Sequence, residues 1–508
     1  MQQTITIKSL LDPNKTYQYV DNGEPMRGGM KDVYFSPDKS YVVAFYRSKL
    51  DFNSKERLNL IVTKYKDDFF NRDGGQYWKN VYCWPTDVVE KNGLTGIIVP
   101  AYDKRFFFKK GYAGNDLLKG KEKEGKWYAS AKFRCMGSKT RLDESELGNW
   151  LSYFQVCVFI ARGVKRLHSA GLAHSDLSYK NVLIDPQNGG AANIIDIDGL
   201  VVPGRFPPDV IGTADFIAPE VLATKHLDKN DANRKLPNRL TDLHALAVLI
   251  YMYLLYRHPL RGGNYFGQID EVEEENLMMG SKAVFVEHPT INSNRNFKRE
   301  YGDNLEKFKP WTDLNKTPYT ITGPYLKELF DQAFIKGLHN PMDRPPANAW
   351  EQALIKTNDL KLECSNKQCE QKWFIYNNTK DTRCPFCNTR YPYTIPVLDF
   401  YYQFKQDVWK SDNQRLVVYH NSTLHQWHSN RNIIRNENLK DSEKPREGYF
   451  AFHSGKWVFV NEKLNNMKDL SEDKVILPGE FVEITEGKRL LLNTGENGRI
   501  AVVSIANI

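Results

Sequence analysis

The chain has 508 residues and a mass of 58.9 kDa, more than one ordinary domain holds, and its composition is globular: 41% hydrophobic and 26% charged, with 27 Tyr, 27 Phe and 10 Trp. That excludes disorder as the main state. The formal charge is +8, yet the stretch from Lys104 to Arg141 carries twelve Lys/Arg against Asp116, Glu122 and Glu124, a net +9 that leaves the rest at −1. The basicity belongs to one segment, so nucleic acid is not an expected partner.

The first hundred residues read as short strands and turns. Asp32–Phe35 and Tyr41–Arg47 are apolar runs joined by SPDKS, a hairpin signal, and Gly96–Ala101 has the pattern of a buried strand. From Glu144 to His168 the period becomes helical, with Leu147, Trp150, Leu151, Phe154, Val158, Ile160, Val164 and Leu167 on one stripe behind an acidic DESE start. Further helices are expected near 242–256, 325–337 and 347–357. No apolar run approaches the ~18 residues of a spanning helix; the longest, Leu246–Leu255, reads as a buried helix. The first residues have neither the basic start nor the long apolar stretch of a secretory signal, and seven cysteines in 508 residues make no disulfide scaffold, so a cytoplasmic location is expected.

The central motif is His174-Ser175-Asp176-Leu177-Ser178-Tyr179-Lys180-Asn181, followed by Val182-Leu183-Ile184. After it come Ile194-Ile195-Asp196-Ile197-Asp198-Gly199 and Gly212-Thr213-Ala214-Asp215-Phe216-Ile217-Ala218-Pro219-Glu220. Further on stand Asp242-Leu243-His244-Ala245-Leu246-Ala247-Val248 and Asn340-Pro341-Met342-Asp343-Arg344-Pro345. In this order the motifs resemble the protein kinase family: its H-R-D catalytic loop, its D-F-G metal motif, its A-P-E segment, a helix after it and a late arginine that pairs with the A-P-E glutamate, here Arg344 with Glu220. The resemblance implies a bilobal fold, ATP as phosphoryl donor and Mg²⁺ as cofactor. It implies that Asp176 accepts or orients the substrate hydroxyl proton. Asn181 and Asp196 hold magnesium, with Asp198 an alternative ligand, and Lys180 sets a positive charge beside the transferring group. Thr213 lies where serine/threonine kinases keep a threonine near the catalytic aspartate, which favours serine/threonine specificity.

Three departures from the family pattern shape the reading. Ser175 replaces the usual arginine, which argues against activation by loop phosphorylation. Val43-Ala44-Phe45-Tyr46 puts tyrosine where the family keeps its strand lysine, and a tyrosine brings no cation to phosphates. The preceding Gly28-Gly29-Met30-Lys31 is similar to kinases in which a lysine on the glycine-loop strand takes over. Lys31 is therefore expected to contact phosphates, with Arg47 as runner-up, Glu56 as a candidate helix glutamate, and a nucleotide-binding pseudokinase scaffold as the alternative function. Gly28 and Gly29 let backbone amides approach phosphates. Ala44 and the hinge-like Val99, Ala101 and Tyr102 complete the nucleotide positions, with Pro100 lacking a donor. The basic segment reads as a solvated insert, or as a dock for an acidic or phosphorylated partner.

Cys364-x4-Cys369 and Cys384-x2-Cys387 are two thiolate pairs at zinc-ribbon spacing, a structural Cys₄ site for zinc. Cys83, Cys135 and Cys157 are dispersed and read as buried thiols. Residues 395–508 read as an all-β domain, a sandwich in which Val475–Ile484 is similar to the late strands of forkhead-associated domains. The expected class is α+β multidomain: kinase N-lobe 1–102, C-lobe 103–357 with the basic insert 104–141, zinc ribbon 358–394 and β domain 395–508. This combination resembles the bacterial kinases of the tellurite-resistance-associated phosphorylation triad. That implies two partners, a von Willebrand factor A-type protein and a PP2C-like phosphatase, the substrate among them.

Overall fold

The structure, a computed structural model, describes residues 3–71, 74–135, 138–202, 205, 206, 208, 210–228, 231–264, 270–405, 408–495 and 497–506. Two compact units emerge: Met1–Gly148 with Gln155–Leu314 and Leu329–Glu351, and Asn149–Phe154 with Asn315–Glu328 and Gln352–Ile508.

The first unit opens with an antiparallel hairpin, β1 (Gln3–Lys8) and β2 (Thr16–Asp21). Five strands follow: β3 (Met26–Arg27), β4 (Lys31–Phe35), β5 (Tyr41–Tyr46), β6 (Asp87–Lys91) and β7 (Leu94–Pro100). They form one antiparallel sheet in the order β3-β4-β5-β7-β6. The SPDKS turn closes as expected, Ser36 N–H donating to Tyr41 O over 2.9 Å. Strand alternation then divides β5 between two cores. Val43 and Phe45 pack with Val89, Ile98 and the hairpin's Tyr17 and Tyr19, whereas Ala44 and Tyr46 pack with Val88, Ile97, Leu58 and Val62. Leu58 lies on the helix Phe52–Leu60, capped by Asp51, whose carboxylate accepts from Ser54 N–H. This helix continues through a wider turn at Ile61–Tyr65 to Phe70.

The helical half of this unit contains β8 (Val182–Asp185) paired with β9 (Ala191–Ile194) and the helix Arg239–Leu255, buried from Thr241 to its end. The stripe from Glu144 to His168 is not one helix. It breaks at Gly148, whose φ of +64° suits glycine and where a Cβ would stand 2.4 Å from Pro186 O; the long helix restarts as Trp150–Ser169. Likewise the stretch at 325–337 is an α-helix over Pro324–Asp331 followed by a wider turn through Lys336.

The basic segment corrects its sequence reading as a solvated insert. Phe106, Phe108, Leu118, Tyr128, Ala129 and Ala131 are all buried. Phe106 packs against Leu183, and Lys123, only 3% exposed, bridges Glu146 at 3.0 Å and Asp185 at 3.4 Å. Glu146 in turn accepts from Lys109 N–H and Lys110 N–H. The segment is therefore fastened to the body by a buried cation between two carboxylates, and charge counting alone gave no sign of it.

In the second unit, β10 (Lys361–Glu363) pairs with β11 (Trp373–Ile375) beside the cysteines. The tail follows as β12 (Ile395–Lys405), β13 (Val408–Val417), β14 (Thr423–His425), β15 (Arg446–His453), β16 (Lys456–Asn461), β17 (Lys468–Asp469), β18 (Lys474–Val475), β19 (Phe481–Glu483), β20 (Arg489–Leu491) and β21 (Arg499–Ala506). They make a six-stranded sheet, β13-β12-β21-β20-β17-β18, and a four-stranded one, β14-β15-β16-β19. Both sheets bury side chains in one core that includes Leu398, Phe400, Phe450, Phe459, Leu490 and Val503. Among the described residues no helix is long and apolar enough to cross a membrane.

Removing the cation from the buried triad leaves two carboxylates facing each other without compensation, at a cost of about 3–5 kcal/mol. Lys123→Met is therefore expected to lower the unfolding midpoint of the first unit in urea. An unchanged midpoint would show that the triad is not a fastening point.

Candidate functional site

The site is built around a loop whose backbone one carboxylate holds. Asp242, near the start of the helix Arg239–Leu255, accepts from His174 N–H at 2.7 Å, Ser175 N–H at 3.0 Å and His168 Nε2 at 3.0 Å. Ser175 takes a left-handed φ of +70°, sterically costly for a non-glycine residue, and these bonds over-determine it. Asp176 is thereby presented to the cleft. Its Oδ1 lies 2.8 Å from Thr213 Oγ1, and its Oδ2 accepts from Asn181 Nδ2 at 3.0 Å. The same amide donates to Asp176 O at 2.8 Å. Thr213 reaches inward because Gly212 before it turns with φ +111°, a region that favours glycine. Arg344 grips Glu220 with two bonds of 2.8 and 2.7 Å, the pairing expected from sequence, and so anchors the segment after Thr213.

Opposite this loop stands Lys31. Its Nζ lies 2.6 Å from Asp198 Oδ2 and 3.1 Å from Asp196 Oδ1, with the Tyr46 ring centroid 5.3 Å away. Tyr46 OH donates a short hydrogen bond to Asp198, so the tyrosine at the strand-lysine position buttresses a carboxylate and leaves the cation to Lys31. Asp196 has φ +61° and ψ +37° and is half exposed, whereas Asp198 is buried. Burial opposes the charge on both partners. Against that burial, Asp198 and then Asp196 raise Lys31 above the usual lysine range, and Lys31 holds Asp198 below the usual carboxylate range. The Tyr46 hydroxyl is pushed far up, first by burial and then by Asp198.

The glycine turn is a tight hairpin in which Gly28 N–H donates to Lys31 O over 2.9 Å. Arg47 is not a cleft residue. Its guanidinium donates to Gly28 O at 2.9 Å and to Gly29 O, and Arg47 N–H donates to Met30 O, so it grips the turn by its carbonyls. Glu56 does not meet Lys31 either; it forms an exposed pair with Arg205 at 2.7 Å. At the hinge, Ala101 N–H donates to Ser40 O at 3.0 Å, and Pro100 has no donor, so Tyr102 carries the next amide along this wall.

Apart from Arg47 and Glu56, the sequence-named nucleotide and catalytic positions line one cavity of about 830 Å³: Gly28, Gly29, Lys31, Ala44, Val99, Ala101, Tyr102, Asp176, Lys180, Asn181, Asp196, Asp198 and Thr213. That volume suits a nucleotide-sized ligand. Sequence reasoning missed Cys83 on the wall, and Phe107, Glu122, Glu124 and Lys126 from the basic segment at the mouth. It also read Asp242 only as a fold motif. The clue for Glu122 and Glu124 was their place as two of only three acids in a run of cations.

In the second unit the thiols of Cys364, Cys369, Cys384 and Cys387 all lie within 4.8 Å of one another. Cys364 and Cys387 are 3.5 Å apart and Cys369 and Cys384 3.9 Å. Backbone amides of Gln371 and Lys372 turn toward the Cys369 sulfur, and those of Phe386 and Cys387 toward Cys384.

Residues 133–317 match the protein kinase domain family, so the chain carries a protein kinase domain. It is 27% identical to the serine/threonine-protein kinase PSK1 of Saccharomyces cerevisiae over 150 residues, 27% of this chain and 10% of that protein. It is 30% identical to a dual serine/threonine and tyrosine protein kinase of Apis mellifera over 110 residues, 22% of this chain and 10% of that one. The match thus spans about a tenth of the length of either relative. Among solved structures, the Toxoplasma gondii specific rhoptry antigen kinase domain aligns over 70% of this chain and 86% of its own, at 12% identity and a TM-score of 0.39.

The ion pair has a pH signature. Asp198 has a depressed pKa when folded, so its stabilisation is complete above the unfolded value of ~3.9 and is lost as pH falls through the folded one. In Lys31→Met the sign reverses: a buried carboxylate without its cation costs about 3 kcal/mol at neutral pH, and protonation relieves it. The melting-temperature gap between the two proteins should be widest at pH 7 and narrow toward pH 4. A gap constant over that range would detach the stability effect from Asp198.

Proposed function

We propose that this kinase domain is an active Mg-ATP-dependent protein serine/threonine kinase in which Lys31, on the glycine-loop strand, replaces the lysine missing from β5. The observation that carries the reading is the Lys31 ammonium on Asp196 and Asp198, across one cavity from the Asp176–Thr213–Asn181 cluster. The proposed lobes are those of the sequence division, residues 1–102 and 103–357.

The donor set fits the nucleotide and its metal: a glycine turn able to admit phosphates, one cation, two carboxylates and an amide. When bound, Mg²⁺ neutralises charge on the phosphate oxygens, and Asn181, Asp196 and Asp198 are the residues to hold it. The chain's own groups do the rest. Lys31 offers its ammonium to the phosphates. Asp176 orients the acceptor hydroxyl and receives its proton at the carboxylate. Thr213 and Asn181 fix the rotamer of Asp176, and Lys180, exposed at the cleft edge, adds positive charge where the transferred group carries negative.

The four cysteines are the ligands of a structural zinc. A tetrahedron with Zn–S bonds of ~2.3 Å has sulfur–sulfur edges of ~3.8 Å, and the spacings of 3.5 and 3.9 Å bracket that edge. The β tail is a β-sandwich whose Val475–Ile484 stretch resembles the late strands of forkhead-associated domains. Resemblance to the tellurite-resistance-associated triad makes a von Willebrand factor A-type protein and a PP2C-like phosphatase the partners to test first.

With labelled ATP, Mg²⁺ and these partners, the wild type should label Ser or Thr. Asp176→Ala should fall by about 10³-fold or more, and Lys31→Ala by a similar factor. ATP binding without any Asp176-dependent label would instead favour a pseudokinase scaffold. Metal analysis of the purified chain should find one zinc per molecule, lost in Cys369→Ser/Cys384→Ser together with the cooperative unfolding of the second unit; a zinc-free chain with unchanged unfolding would refute the metal site.

A further inference from the structure

The basic segment carries exposed charge that the kinase chemistry leaves unused. Residues 104–110 and 118–123 run antiparallel as a small ribbon. Lys123 N–H donates to Phe106 O at 2.7 Å, Phe108 N–H to Lys121 O at 2.9 Å and Gly120 N–H to Phe108 O at 2.9 Å, with Phe107 opposite Glu122. Residues 104–123 hold seven Lys/Arg against Asp116 and Glu122, a net +5. One of the seven, Lys123, is the buried anchor. Lys110 and Lys119 make only long, exposed contacts with Asp143 and Asp116. Lys104, Arg105, Lys109 and Lys121 are exposed and form no ion pair among the described residues.

Holding so many like charges on one ribbon is electrostatically unfavourable, and the fold fixes them there with a buried triad and the buried rings of Phe106 and Phe108. The ribbon also borders the cleft: Phe107 and Glu122 line the cavity that contains Asp176 and Lys180. Resting on the kinase reading above, we infer that this ribbon is a docking platform for an acidic segment of the protein substrate, one that carries carboxylates or phosphates and delivers the acceptor hydroxyl to Asp176. A platform of exposed cations raises encounter rate and local concentration and is screened beyond a Debye length of ~8 Å at physiological salt. Its effect therefore belongs in KM and not in kcat.

The test uses the full chain and the triple variant Lys104→Glu/Arg105→Glu/Lys121→Glu, whose exposed side chains leave the buried anchor in place. Three labelled probes are titrated by fluorescence anisotropy: a 15-residue Glu/Asp-rich peptide, the same peptide with phosphoserines, and a single-stranded RNA of equal length. The proposal expects the peptides to bind the wild type, affinity to fall with salt, and the triple variant to lose about tenfold or more. The relative strength of the two peptides tells carboxylate from phosphate. Turnover is then measured on a serine substrate with and without the acidic tail: the variant should raise KM about tenfold for the tailed substrate only, at unchanged kcat. Equal peptide binding by both proteins would overturn the proposal, as would RNA binding tighter than either peptide. If the kinase reading fails, no substrate turns over, yet the anisotropy difference survives, so the two failures are separable.

Discussion

One buried carboxylate sets the geometry from which the chemistry follows. Asp242 binds two consecutive amides and the His168 ring at once. A loop in open solvent would relax out of the left-handed conformation at Ser175; held there, it delivers Asp176 to the cleft with its oxygens already met by Asn181 and Thr213. The helix that carries Asp242 is buried almost throughout, and Arg344 adds a bond to Leu240 O while clasping Glu220. The loop that carries Asp176 and the segment after Thr213 thus share one support.

Much of this was legible in the sequence because it is encoded in short, ordered polar motifs. His174, Ser175, Asp176, Lys180, Asn181, Asp196 and Thr213 line one cavity, and Arg344 pairs with Glu220. Lys31 was found by an absence, a tyrosine where a cation was needed. What could not be read was partnership over distance. Sequence puts Arg47 beside the strand position of interest but not its guanidinium on the carbonyls of Gly28 and Gly29. Glu56 has the right charge, yet meets Arg205.

Elements were lost where local signals conflicted. The helix Phe52–Leu60 and its continuation bury four apolar residues, Leu58, Ile61, Val62 and Phe69, beside the buried Arg57 and among many charges, a stripe too thin to stand out. Strand β12 opens Ile395-Pro396, and proline argues against a central strand. In the sheet Pro396 is the second residue of the strand, opposite Ile505 of β21; its carbonyl accepts from Val418 N–H at 2.9 Å, and the paired register with β13 begins only at Val397. The basic segment misled in another way. Twelve cations suggested solvent, and nothing local shows that Lys123 has two carboxylates waiting in distant parts of the chain.

The turn that bears Lys31 has a thermodynamic consequence. Here a single ion pair has one end suited to an anion and the other to a cation. On the proposed assignment, phosphate oxygens would draw on the ammonium and a metal on Asp196 and Asp198, the groups that now pair with each other. Whichever arrives first breaks the internal pair and exposes the other end, so its binding carries the rupture cost and the second ligand is spared it. By linkage the assistance is mutual and equal in both directions. On the proposed assignment, nucleotide and metal would bind this cleft as heterotropic partners, with the Lys31–Asp198 pair as their coupling element.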